Sequence, residues 1–101
     1  MTVSEVRANR GTQRVLHPSG DLDLLTVDAL RSTLSDAISS SEADIVIDLT
    51  QVDHVDIVAL SSILAAADTL REQGRALHVS AARQDLRRVC ALLRADDILL
   101  G

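Results

Sequence analysis

Between Asp48 and Ser62 the chain reads DLTQVDHVDIVALSS, which gathers three aspartates, one histidine and three hydroxyl side chains in one short stretch. Asp48 and Asp56 have the form of a carboxylate pair for acid–base work. No nucleophile, metal-ligand set or glycine-rich phosphate loop accompanies them, so catalysis is not expected. The single cysteine, Cys90, and the three histidines show no zinc spacing, and neither a metal nor another cofactor is expected. Cys90 falls on an apolar stripe and is read as a buried small hydrophobe, not a redox site.

Asp56 stands directly ahead of an apolar-periodic segment, the place of a helix N-cap, where its carboxylate would accept N–H bonds worth about 1 kcal/mol. The start of such a helix offers unpaired N–H groups and the positive end of the helix dipole, so a phosphate, a nucleotide or a partner protein is expected there. Its first turn, however, is Ile57, Val58 and Ala59, with no hydroxyl and no glycine. Two β-branched apolar residues in that position either tuck into the core or form an exposed patch suited to docking. Ser61 and Ser62 read as a solvated first turn, with a regulatory phosphate as the alternative. Asp23 is either a turn-former before the first helix or a neighbour of this helix start. His54 is expected to lie exposed beside the loop.

The elements that must position these residues follow from hydrophobic period. Residues 3–8 alternate weakly, as an edge strand does. Asn9 to Thr12 is turn chemistry with Gly11 supplying a positive φ, and Gln13 to His17 is the return strand, closed by Pro18-Ser19-Gly20. Thr26 caps a first helix whose Val27, Leu30, Leu34 and Ile38 recur at helical spacing, fading at Ser39 to Ser41. Ile45, Val46, Ile47 and Leu49 form a short β-branched run fit for a central strand covered on both faces. A short turn leads to the second helix, Ile57 to Gln73, stopped by Gly74. Leu77 to Val79 is a further strand, and Arg83 to Arg94 a third helix with Leu86, Val89, Cys90 and Leu93 on one face and Arg94 at its negative end. Arg83, Arg87, Arg88 and Arg94 line its outer side, a solvated face or a surface for an acidic partner. Ile98 to Leu100 is a last strand or an apolar tail. The order β-β-α-β-α-β-α describes one α/β domain over residues 1–101, a small mixed sheet packed with three to four helices.

Composition narrows the function classes. The core must be aliphatic, because 47% of residues are hydrophobic and none is Phe, Tyr or Trp. Such a core has no stacking platform for single-stranded nucleic acid. A net charge of −5, with no basic run longer than Arg87-Arg88, makes nucleic acid and anionic membrane poor partners. No apolar run reaches the roughly 20 residues that span a bilayer, and no apolar signal region opens the chain, so a cytoplasmic protein without membrane insertion is expected.

With Gly20-Asp21-Leu22-Asp23 after the second strand, and Ile45 to Thr50 followed by Val52, Val55 and Asp56 to Leu60, the chain resembles the STAS domain family of bacterial anti-sigma factor antagonists and sulfate-transporter appendages. The resemblance covers residues ~13–95. It implies that the second residue after Asp56 is a serine phosphorylated by a partner kinase, the anti-sigma factor, and that the phosphate repels that partner. Here the acceptor position is Val58, Ile57 replaces the first serine and Ala59 the glycine, so the usual phosphorylation is chemically excluded. The C-terminal strand and helix of longer members are largely absent, which resembles the STAS subunit of phospholipid-transport ABC complexes. The expected function is non-enzymatic docking of an anti-sigma factor of the histidine-kinase-like ATPase type, through Asp23, Asp56, Ile57, Val58, Ala59, Ser61 and Ser62. The alternative is an accessory subunit docking an ABC-transporter ATPase. A nucleotide-binding sensor is less favoured for want of a glycine-rich loop, and a homodimer is left open.

Overall fold

The computed structural model describes residues 2–7, 13–40, 42–80, 84–92, 94 and 96–99. Its elements are β1 (Thr2–Arg7), β2 (Gln13–Leu22), α1 (Val27–Ser40), β3 (Asp44–Asp48), β4 (Gln51–Val55), α2 (Ile57–Glu72), β5 (Leu77–Ser80), α3 (Gln84–Leu92) and a 3-10 turn at Asp96–Ile98. They build the expected small α/β fold with a mixed sheet. β1 is antiparallel to β2, and β2 lies parallel to both β3 and β4, with β5 parallel to β3 on the far side. The turn expected at Asn9 to Thr12 lies outside the described residues, as do Arg83 and Leu93.

Two features depart from the sequence reading, and they are linked. β2 does not close at Pro18 but continues through Leu22, and the expected turn after β3 is a strand, β4. The pairing register explains both. Gln13 faces Asp44 and Leu16 faces Ile47, an offset of 31 residues. Ser19 faces Gln51 and Gly20 faces Val52, an offset of 32, while Asp21 faces His54 and Leu22 faces Val55, an offset of 33. The chain from Asp44 to Val55 thus follows β2 for its whole length with two one-residue slips. The first slip falls opposite His17 and Pro18, where β2 changes partner and Pro18, lacking an N–H, is not required to donate to a ladder on that side. The second is a bulge that makes Asp53 the extra residue. It breaks the period-2 alternation, leaving Val52 buried but Asp53 and His54 both exposed, which is why QVDHV did not read as a strand.

Asp48 organises the first slip. Its Oδ1 accepts the Thr50 N–H at 2.9 Å and the Thr50 hydroxyl, while its Oδ2 lies 3.3 Å from His17 Nδ1 on β2. The Thr50 hydroxyl and N–H, and then the charge and hydrogen bond of His17, hold the Asp48 carboxyl below its ordinary value despite partial burial. Leu49, between the strands, is buried, and its carbonyl accepts the Val52 N–H at 3.0 Å.

Helices pack on the sheet face formed by Leu16, Leu22, Ile45, Ile47, Leu77 and Val79, against Leu30, Leu34, Leu60, Ile63 and Leu70. Val46, on the opposite face by strand alternation, is buried as well. The third helix ends at Leu92, not Arg94, because Arg94 adopts a left-handed φ of 54° and cannot continue it. Ile98 is buried, and Leu99 makes a parallel bridge to Val79, so the apolar tail does add to the sheet edge.

α1 has no basic residue in its last turn. Its C-terminal carbonyls are instead met by cations from other elements. Arg14 Nη1 of β2 donates to Ala37 O at 3.2 Å and also to the Ser40 hydroxyl. Arg75 Nη1 donates to Ile38 O at 3.0 Å, and its Nε and Nη2 donate to Ala43 O at 3.1 and 2.8 Å. Arg75 is placed by the end of α2, where Gly74 takes φ 71° and the Gly74 and Arg75 N–H groups return to Arg71 O and Leu70 O at 3.1 and 2.8 Å. These two bonds form a Schellman motif.

Two outcomes are expected. Arg75→Ala removes charge-assisted bonds to two carbonyls and lowers unfolding free energy by about 1–3 kcal/mol, read as a fall in the urea midpoint. Because the folded Asp48 carboxyl titrates below its unfolded value, its stabilisation is complete above the ordinary 3.8 and is lost as pH falls through the depressed folded value. Urea midpoints measured from neutral to strongly acid pH will therefore show a steeper acid loss for the natural chain than for Asp48→Asn. Equal acid slopes would remove Asp48 from this role.

Candidate functional site

The C-terminal ends of β2 and β4 meet at a single edge, and two loops leave from it. The Asp56 N–H donates to Leu22 O at 3.0 Å, so the residue that ends β2 and the residue that starts α2 are joined directly. Asp56 has φ −93° and ψ 175°, extended backbone, and its Oδ1 accepts the Val58 and Ala59 N–H groups, both at 3.1 Å. It is the N-cap that the sequence implies. The carboxylate already occupies the amides at the second and third positions of the helix, where an external anion would bind, and its charge opposes one. The Asp56 carboxylate thus satisfies the Val58 and Ala59 amides internally, and Ile57 leaves an exposed apolar side chain at the helix start.

Asp23 is brought to the same edge, next along the chain from Leu22. Its side chain turns into its own loop, accepting the Leu25 N–H at 3.0 Å and lying 3.4 Å from Thr26 Oγ1. The Asp23 N–H donates to Thr26 Oγ1 at 3.0 Å, and Asp23 O accepts the Thr26 N–H at 3.1 Å. The carboxylate therefore forms the turn before α1, while its position adjoins Asp56.

The remaining candidates divide by exposure. Ile57 is 56% exposed and Val58 half-buried, and Ser61 faces solvent. Ala59 is wholly buried, so it supports the helix start from beneath and presents no side chain to a partner. Ser62 is not part of a solvated turn. It is only 8% exposed, its hydroxyl donates to Val58 O at 3.2 Å, and it accepts Arg31 Nε at 3.1 Å, tying α2 to α1. Helical geometry accounts for the difference, since Ser62 lies one turn from Val58, on the face turned toward α1. His54 is exposed, as expected, and Cys90 is fully buried.

Two further exposed candidates are not singled out by the sequence. Leu24 is 70% and Leu25 92% exposed, in the loop between Asp23 and Thr26. Together with Ile57, the first residue of α2, they place three large apolar side chains on the two segments joined by the Leu22–Asp56 bond. Leu24 would continue the alternation of Leu22 if β2 ran on, and it is the turn from Asp23 to Thr26 that exposes it and Leu25.

Elsewhere, a groove of about 430 Å³ opens between α1 and α2, lined by residues that include Arg31, Leu34, Ile38, Ser62, Ala66 and Thr69. Among the described residues no group of three or more His, Cys, Asp or Glu side chains is arranged to hold a metal ion, and no helix is long and apolar enough to cross a membrane.

Comparison with known proteins gives a family and a fold. The model of the STAS domain family matches residues 4–100. No curated protein sequence matches the chain. Among solved structures, the Bacillus cell fate determinant SpoIIAA in its phosphorylated form superposes with a TM-score of 0.78 at 16% identity, covering 98% of this chain and 89% of that one. An anti-sigma factor antagonist from Mycobacterium paratuberculosis gives 0.75 at 23% identity, covering 97% and 83%. The murine Solute Carrier 26 family member A9 anion transporter gives 0.67 at 10% identity, covering 80% of this chain and 14% of the transporter. At these identities the likeness is one of fold.

Asp56→Ala will expose two helix amides and lower stability by about 1–2 kcal/mol, with faster hydrogen exchange at Val58 and Ala59, whereas Asp56→Asn will retain most of the cap. An unchanged urea midpoint for Asp56→Ala would refute the capping role.

Proposed function

The chain belongs to the STAS domain family, and on that premise we propose that it is a non-enzymatic docking module of the anti-sigma factor antagonist kind, fixed in its unphosphorylated charge state. The observation that carries this reading is the exposure of Leu24, Leu25 and Ile57 beside the Asp56-capped start of α2. Large apolar side chains gathered at one edge of a small domain are best explained by a partner that covers them. The proposed partner is an anti-sigma factor of the histidine-kinase-like ATPase type, met in the cytoplasm.

The charge state follows from the residue types. A phosphate would add nearly two negative charges beside this apolar edge and oppose docking. Val58 has no hydroxyl to carry it, and the Ser62 hydroxyl is buried in bonds to Val58 O and Arg31. SpoIIAA, by contrast, exists in a phosphorylated form. Control of the present chain is then exerted through its abundance or through competition for the partner.

The test is direct binding to purified anti-sigma factors of the source organism. One of them will bind, and Leu25→Ser with Ile57→Ser will weaken that binding at least about tenfold while changing stability by no more than about 0.5 kcal/mol. Incubation with that partner and ATP will leave the mass of the chain unchanged. A gain of one phosphate would show that another hydroxyl serves as acceptor. Binding to an ABC-transporter ATPase and to no anti-sigma factor would replace this reading with the transporter one.

A further inference from the structure

Charge is segregated along this chain. Residues 15–70 contain ten of its fifteen acids but only one of its ten arginines, Arg31. The fold gathers five of those ten acids at one end of the sheet, while Asp44 lies at the other, where β3 begins opposite Gln13. Asp21, Asp23, Asp53 and Asp56 sit at the C-terminal ends of β2 and β4, and Asp28 sits in the first turn of α1 beside them. Arg31 offsets one of these five charges, its Nη1 lying 3.8 Å from Asp28 Oδ1 while its Nε donates to Ser62, and the edge keeps a net negative charge. At the opposite end of the sheet, Arg14 opens β2 and Arg75 immediately precedes β5, both bonded to carbonyls at the end of α1. The acidic end is the end that carries Leu24, Leu25 and Ile57.

An apolar patch with a carboxylate rim restricts what covers it. A second copy related by a two-fold axis would bring the same five carboxylates against themselves. An anionic lipid surface would be repelled by them. A protein surface that sets arginine or lysine side chains around an apolar recess satisfies both the patch and its rim.

We infer that the partner's docking face is of that kind: a basic ring around an apolar recess, whose capture is accelerated by the carboxylates and whose retention depends on Leu24, Leu25 and Ile57. The inference rests on the docking reading above and adds to it the charge of the partner and a division of labour within the site. Fixed carboxylates and an exposed apolar group act on different rates. Long-range attraction raises the association rate and is screened by salt, whereas desolvated apolar contact slows dissociation and is not.

The experiment is surface plasmon resonance of the full chain on each purified histidine-kinase-like anti-sigma factor of the source organism, over about 0.05 to 0.5 M salt. The association rate will fall about tenfold across that range with little change in dissociation rate. Asp21→Asn with Asp28→Asn, both at exposed positions, will lower the low-salt association rate about threefold or more and flatten the salt dependence, while Leu25→Ser will raise the dissociation rate. Binding with a salt-independent association rate, or binding improved by the neutralised variant, would overturn this inference and leave the docking reading intact. Absence of binding to every anti-sigma factor would overturn the docking reading and the partner assignment together. Sedimentation showing a dimer that Leu25→Ser abolishes would assign the patch to a second copy instead.

Discussion

The 3.0 Å hydrogen bond from the Asp56 N–H to Leu22 O is the contact on which the arrangement of the site depends. It fixes the end of β2 against the start of α2, and so sets the loop of Asp23, Leu24 and Leu25 beside Ile57. Its formation requires that the chain from Asp44 follow β2 for its full length and arrive in register. The run is too long by two residues for an uninterrupted parallel ladder. The two slips, at Leu49-Thr50 and at Asp53, absorb the excess. Pro18 marks the first, and the Asp48–Thr50–His17 cluster holds the chain through it. Each one-residue slip reverses which face the following side chains occupy, and the second restores the alternation that the first inverts, from Ile47 through Val52 to Val55.

At the helix start that results, an internal carboxylate competes with any external anion, and Ile57 is exposed. Two amides that would bind a phosphate are satisfied internally by the Asp56 carboxylate, and β-branched apolar residues occupy the first two helical positions. The core beneath contributes only aliphatic contacts, with Ala59 and Leu60 anchoring the helix start against Leu22 and Val52 within one buried cluster. Rigidity at the site comes from backbone pairing and the cap, and the apolar side chains that project from it are presented by a fixed frame.

Much of the fold was legible in the chain itself. The helices over Val27–Ser40 and Ile57–Glu72 announced themselves through period and caps, because Thr26, Asp56 and Gly74 each have a local conformational preference that needs no partner. The central strand was visible as a β-branched run too short for a helix. β4 was not, since its alternation is broken by the Asp53 bulge and only the neighbouring strand β2 makes it a strand. The end of β2 was misplaced because Pro18 reads as a terminator when its pairing partners are unknown. At the candidate site the cap at Asp56 was legible by position, whereas the exposure of Leu24 and Leu25 was not. That exposure is a property of the folded surface.

The sequence by itself determined the family resemblance, the aliphatic character of the core, the cap at Asp56 and the absence of a hydroxyl at Val58, since each depends on residue type and on neighbours within a few positions. The tertiary structure alone decided that Ser62 is buried against Arg31 and not presented to solvent. It decided that the end of α1 is stabilised by Arg14 and Arg75 from distant elements. It also decided that three scattered apolar residues and five carboxylates share one edge. Those outcomes depend on contacts between residues that pairing and helix packing bring together from far apart in the chain, and a reading limited to neighbours along the sequence contains no information about them.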